Sequence, residues 1–273
     1  MSFLTLDEVS HYYFSKHSYT KALDRISLSI DQGEFISILG PSGCGKSTIL
    51  SIIARIIQQT KGYVLVNDQT IEHSSLGIGY MLQQDYLFPW KTILDNVLIG
   101  PKITKTVTKN LKTSGIRLLK EVGLENIAQD YPNSLSGGMR QRVALVRTLM
   151  SDPDILLLDE PFSALDYLTK LKLEDLVSKL LNKYKKTAVL VTHDIGEAIS
   201  MSDRIFVMDT NPGTIANVFH VPIELRQERP FLVRRHPKYQ RLFDEIWIEL
   251  NKNEPTFIQP KVVEEKNESK TKQ

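Results

Sequence analysis

Along residues 26–30, Ile, Ser, Leu, Ser and Ile alternate apolar with polar, the period of a strand buried on one face. Asp31-Gln32-Gly33 interrupts the alternation with turn-forming residues, and residues 34–39 resume as a run rich in β-branched and apolar side chains. From Lys46 the period changes. Ile49, Leu50, Ile53, Ile56 and Ile57 then share one face of a predicted helix. Gly62 marks the turn into a further strand, residues 63–66.

Residues 94–150 read as mostly helical. The stretches 108–122 and 139–150 carry apolar residues at three- and four-residue spacings, punctuated by Pro89, Pro101 and Pro132. A buried-type strand follows at 155–158, then a long amphipathic helix at about 167–184, a strand at 187–192, a short helix after His193 and a strand at 204–208. Asn211-Pro212-Gly213 is a hairpin-like turn. Strand and helix alternate on both sides of a helical insert, which predicts an α/β core with a helical subdomain inserted at about 86–150. Beyond about Ile223 the pattern is polar and charged, with one aromatic-containing helix at 239–250 and a tail at 262–273 expected to be disordered. No internal repeat is visible.

Composition adds limits. The 273 residues are 41% hydrophobic and 24% charged, enough to bury a core in one large domain or two small ones. The 34 basic and 32 acidic side chains nearly cancel, so there is no electrostatic case for a nucleic-acid partner. A single cysteine, Cys44, excludes an internal disulfide framework and fits a reducing compartment. The first residues lack the basic start and apolar run of a secretory signal. The strongest apolar runs, 155–158 and 188–191, are strand-length and far short of the ~20 residues that cross a bilayer. If the protein serves transport, the pore is expected to belong to another chain.

Candidate chemistry starts at Gly40-Pro41-Ser42-Gly43-Cys44-Gly45-Lys46-Ser47, a full P-loop match between a predicted strand and a predicted helix. Its glycines let the backbone wrap a phosphate chain, while successive N–H groups and the helix N-terminus bind negative charge. Lys46 would reach the β- and γ-phosphates, and the Ser47 hydroxyl would ligate Mg2+. Cys44 reads as a small loop filler, since no His or Asp pattern marks it as a nucleophile. Ile155-Leu156-Leu157-Leu158-Asp159-Glu160 is an apolar strand ending in acids, which places carboxylates at the strand's C-terminal edge beside the phosphates. Asp159 would hold Mg2+, directly or through water, and Glu160 would orient and polarise the attacking water. Together these features say NTPase.

Leu135-Ser136-Gly137-Gly138-Met139-Arg140-Gln141-Arg142 narrows the class. Ser136 can cap the following amphipathic helix, and the two glycines expose backbone N–H groups at its start, giving a second anion site. One phosphate chain does not need two such sites in one subunit. A head-to-tail dimer, with this site meeting the partner's nucleotide, is the economical explanation.

Over about residues 6–221 the chain resembles the ABC ATPases. LSGGMRQR matches their signature motif, and GPSGCGKS and ILLLDE match Walker A and Walker B in the expected order. The resemblance implies an α/β P-loop NTPase (RecA-like) core with an inserted helical subdomain and an N-terminal antiparallel β subdomain. It places the ATPase domain at 1–221 and a C-terminal extension at 222–273. It implies ATP and Mg2+ as ligands. The nucleotide falls to Gly40, Pro41, Ser42, Gly43, Cys44, Gly45, Lys46, Ser47 and Thr48, and to Ser136, Gly137 and Gly138 from a second copy. The metal falls to Ser47, Asp159 and Gln83. Gln83, in Met81-Leu82-Gln83-Gln84-Asp85, resembles the Q-loop glutamine that senses Mg2+ and the γ-phosphate; Gln84 is a register alternative that fits the following Leu87-Phe88-Pro89-Trp90 less well. Ser163-Ala164-Leu165-Asp166 resembles the D-loop that crosses the dimer interface, and His193 the switch histidine on the γ-phosphate. Glu160, His193 and Gln83 form the implied catalytic set. Tyr13 is the candidate to stack on adenine, in competition with Tyr12, Phe14 and Tyr19.

The implied partners are transmembrane permease subunits, a second copy of the chain and, indirectly, an external solute-binding protein, at the cytoplasmic face of the membrane. A short permease helix would dock beside the Q-loop, near Tyr86, Leu87, Phe88, Pro89 and Trp90. The segment from Leu87 to Val97, with Arg234-Arg235-His236-Pro237 and Ile246-Trp247, resembles the nitrate/sulfonate/taurine importer branch, which implies import of a small solute: an organic anion, nitrate or a vitamin precursor. Three alternatives stand beside it. An exporter ATPase with a separate permease differs in the importer-like segments. A ribosome- or DNA-acting ABC ATPase usually carries two cassettes or a long coiled coil, and this chain has one P-loop and no heptad insertion. A non-hydrolysing regulatory module would not need Glu160, Gln83 and His193 together.

Overall fold

The computed structural model describes residues 2–104 and 110–252. Among them, four antiparallel strands make one sheet: β1 (Leu4–Phe14), β2 (Tyr19–Ile30), β4 (Lys61–Val66) and β5 (Gln69–Thr70), in the order β2-β1-β4-β5. Six strands make the other: β3 (Phe35–Leu39), β6 (Ile78–Met81), β7 (Ile155–Asp159), β8 (Thr187–Thr192), β9 (Arg204–Asp209) and β10 (Thr214–His220). Its order is β10-β9-β3-β8-β7-β6, parallel throughout except for the edge hairpin β9–β10, which turns through the cis Asn211–Pro212 bond.

The helices are α1 (Lys46–Ile53), then α2 (Ile93–Val97), α3 (Ile99–Ile103), α4 (Leu111–Glu121) and α5 (Gly137–Leu149) in the insert. After β7 come α6 (Tyr167–Tyr184), α7 (Ile195–Met201), α8 (Ile223–Arg226), α9 (Pro230–Val233) and α10 (Pro237–Asn251). Fully apolar strands still sort their side chains by period two. Leu156, Leu158 and Leu190 pack in one core with α2, α4, α5 and α6, whereas Ile155, Leu157, Val189 and Val191 pack in another with α1 and the antiparallel sheet.

Register places the site. Leu39 pairs with Thr192 and Asp159 with Val191, so the carboxyl ends of β3, β8 and β7 reach one edge together. The P-loop, Asp159-Glu160 and His193 all leave the sheet at that edge, where open α/β sheets bind ligands.

Two expectations change. Ile56 and Ile57 are not on the first helix, which ends at Ile53; Arg55 turns left-handed at φ 59° and Ile56 is exposed. Arg55 instead donates to the carbonyls of Ile71, Ser74 and Leu76, fastening the loop it turns into. Nor is the region after Ile223 merely polar: Leu225, Val233, Leu242 and Ile246 are buried against Ile195, Ile199, Ile205 and Val207, sealing a third core cluster. Residues 108 and 109 of the predicted helix 108–122, and the tail 262–273, lie outside the described residues.

Candidate active site

The P-loop joins β3 to α1 through a backbone that only glycine permits at Gly45. Its φ is 96°, and a Cβ there would stand 2.5 Å from Leu23 Cδ2. Lys46 is buried, and its ammonium donates to the carbonyls of Gly40 (2.7 Å) and Pro41 (2.8 Å), which fixes it inside the loop. Cys44 is fully buried, and burial pushes its thiol up, against the nearby Lys46; it fills space, as expected.

Ser47 donates to Asp159 Oδ1 at 3.1 Å, and the Tyr80 hydroxyl donates to Oδ2 at 3.2 Å. Burial holds Asp159 above the usual carboxylate range, with Glu160 adding to the rise and the Ser47 and Tyr80 bonds opposing it. Burial, and then the charge of Asp159, push the Tyr80 phenol up to about 12. A hydroxyl and a carboxylate brought together at 3.1 Å are the hard oxygen donors that fit a divalent cation such as Mg2+.

Glu160 follows in a left-handed conformation, φ 45°, its N–H held by the Val191 carbonyl at 2.9 Å. This turn aims its carboxylate along the sheet edge, where Oε2 lies 3.2 Å from His193 Nδ1.

The remaining predicted residues lie around this centre. Tyr13 is half-exposed and hydrogen-bonds through its hydroxyl to Thr48 Oγ1 at 3.3 Å; His11 meets its ring edge-on at 4.6 Å. Tyr12, Phe14 and Tyr19 cluster with one another instead. Gln83 donates to Ser163 Oγ at 3.3 Å rather than joining Ser47 and Asp159, and Gln141 donates to its carbonyl. Ser163 in turn donates to the Glu160 carbonyl at 3.0 Å, so the Q-loop and D-loop segments meet behind Glu160. Ser136 caps α5 as predicted, accepting from Met139 N at 3.4 Å. Leu87 is buried in the helical subdomain, which removes it from the surface that Tyr86, Pro89 and Trp90 expose.

This arrangement has counterparts. Residues 23–163 match the family model described as ABC transporter. The chain belongs to the ABC transporter ATPase family. It is 55% identical over 92% of its length to the uncharacterized ABC transporter ATP-binding protein YtlC of Bacillus subtilis (strain 168), 96% of which is covered. It is 38% identical to the taurine import ATP-binding protein TauB of Jannaschia sp. (strain CCS1), over 83% of this chain and 85% of that protein. A solved dimer of the ATP-binding cassette MJ0796, in a post-hydrolysis state with ADP and Pi, superposes with a TM-score of 0.71 at 34% identity, over 80% of this chain and 99% of that one.

This ABC ATPase therefore binds and hydrolyses ATP, and carries the family's β subdomain, RecA-like core and helical insert. Some of its site lies outside the motifs. Tyr80 reaches Asp159 from β6, and no local pattern marks it. Asn96, fully buried, braces the loop after Gln83 by accepting from Phe88 N and donating to the Phe88, Lys91 and Thr92 carbonyls. Arg147 adds bonds to the carbonyls of Asp85 and Tyr86. A buried Asn inside a helical pattern was the one available signal.

Proposed function

We propose that this ABC ATPase works as a head-to-tail pair at the cytoplasmic face of a membrane. There it powers import of a small organic anion of the sulfonate type through separate permease subunits. The observation that carries the pairing is the presence of two phosphate-competent helix starts in one chain: α1 with the P-loop, and α5 with Ser136-Gly137-Gly138. Among the described residues no helix is long and apolar enough to cross a membrane, which supports a pore made by other chains. The likeness to a taurine import protein supports the solute class. The exposed Tyr86, Pro89 and Trp90 offer an apolar surface for a permease helix. An external solute-binding protein would supply the cargo.

In this reading Tyr13 stacks on adenine, and P-loop N–H groups with Lys46 bind the phosphates. Ser47 and Asp159 would hold Mg2+, which would neutralise phosphate charge, and Gln83 would join them only by leaving Ser163. Glu160 accepts the proton of the attacking water. His193, with Nδ1 turned to Glu160, has its other nitrogen left for the γ-phosphate. Ser136, Gly137 and Gly138 of the second copy complete the site, so ATP favours the closed dimer and hydrolysis releases it.

Glu160→Gln in the ATPase–permease complex tests the reading. The variant should bind ATP, lose hydrolysis and accumulate as an ATP-dependent dimer. Full turnover by the variant would overturn the role of Glu160.

A further inference from the structure

The segment after β10 has no part in the chemistry described so far, yet it reaches the His193 loop through buried charges. The residues on either side of His193, Thr192 and Asp194, are tied to Glu197. The Thr192 hydroxyl donates to the Glu197 carboxylate and accepts from Asp194 N at 3.0 Å, while Asp194 caps α7 by accepting from Glu197 N at 3.0 Å. Lys170 of α6 bridges both acids, at 2.6 Å to Asp194 Oδ2 and 2.6 Å to Glu197 Oε1.

One turn along α6, on the same face, Glu174 is fully buried and paired with Arg234. The pair is two-pronged, at 2.8 and 3.1 Å. Three acids thus face two bases, a cluster held by mutual pairing in a poorly solvated interface. Gly196 completes it. A Cβ there would stand 3.0 Å from Asp194 Oδ1, 3.0 Å from the Tyr239 hydroxyl and 3.3 Å from an Arg234 nitrogen, so its absence lets the C-terminal residues close on the loop.

We infer that the C-terminal segment is a brace for His193, with Arg234 as its positioning residue, acting through the Glu174–Lys170–Asp194/Glu197 cluster. The inference rests on the role of His193 proposed above. Arg234 touches neither the P-loop nor Tyr13, so it sets where the imidazole sits and leaves nucleotide affinity alone. Loose placement of a catalytic group costs rate, on the order of 10- to 100-fold for an ångström.

Steady-state ATP hydrolysis by the full-length protein with its permease, with melting curves for each variant, tests this. Arg234→Ala should lower kcat about tenfold or more, with KM for ATP unchanged within about twofold. Arg234→Lys, which keeps the charge but not the two-pronged pair, should fall between that variant and the parent. The double variant Glu174→Met with Arg234→Met removes both charges without orphaning one, so it should stay folded and share the low kcat. A folded double variant, or Arg234→Lys, with normal kcat overturns the brace, as does a raised KM at unchanged kcat. His193→Ala separates the two levels. If it is inactive while the Arg234 variants turn over normally, the brace alone fails; if it turns over fully, the role of His193 and the brace fall together.

Discussion

Glu160 and His193 face each other at 3.2 Å across the ends of two neighbouring parallel strands, held there by the left-handed turn at Glu160. Neither residue needs the other for its fold. His193 is largely exposed, with a side-chain exposure of 58%, so its removal leaves little uncompensated. We expect His193→Ala to melt within a few degrees of the parent and to bind ATP with similar affinity. Its kcat should fall about 100-fold or more. A loss of ATP affinity equal to the loss of rate would place His193 in ground-state binding instead.

Asp159 predicts a trade between stability and function. Its carboxyl is held above its ordinary value of 3.8 by burial and by Glu160. The folded state therefore takes up this proton more readily than the unfolded chain. The ionised group costs stability at pH above its folded pKa, and that cost fades as pH falls towards the ordinary value. Asp159→Asn should raise the melting temperature of the nucleotide-free protein near neutral pH, and the gain should shrink on acidification towards about pH 4. The same variant should lose Mg2+-dependent hydrolysis. A gain that grows with acid would contradict the assignment.

Leu87 and Trp90 should separate folding from docking. Leu87 is buried in the helical subdomain, and Leu87→Ala should cost about 2–4 kcal/mol in a urea titration. Trp90 is 71% exposed, with Phe88 as its ring neighbour at 5.6 Å, and Trp90→Ala should cost within about 1 kcal/mol. Co-purification with the permease should fall for Trp90→Ala. Equal losses of stability in the two variants would show that the exposed aromatic is structural.

Most of the site was legible because its parts are local. Gly40 to Ser47, Ile155 to Glu160 and Ser136 to Gly138 each carry their chemistry in consecutive residues, and a strand or helix boundary is enough to aim them. Helix ends were less legible. Ile56 and Ile57 fit the period of α1, but the end is set by Arg55 and the carbonyls of a loop beyond Ile71, contacts that no periodicity contains. Tyr80 went unmarked, and Arg234 stood out only in a tail motif without its pairing, for the same reason. Each meets its partner across a long stretch of chain, 79 residues for Tyr80 with Asp159 and 60 for Arg234 with Glu174. The C-terminal segment looked polar because Leu225 and Val233 sit on the four-residue helices α8 and α9, and the narrow Leu242–Ile246 stripe of α10 is surrounded by charged side chains.

The central claim is that each active site is shared between two copies, and complementation tests it most directly. Lys46→Ala disables the P-loop. Gly137→Asp puts a negative charge at the α5 start, where a Cβ meets only an Arg140 nitrogen at 3.9 Å, so the variant has room to fold. Neither variant alone should hydrolyse ATP. A mixed pair holds one site with an intact P-loop from one copy and an intact α5 start from the other. The measurement is ATPase activity as the two inactive proteins are combined at increasing ratio. The shared-site account predicts that activity reappears and peaks near equal amounts; activity that stays at background, or a Gly137→Asp protein that hydrolyses normally by itself, would contradict it.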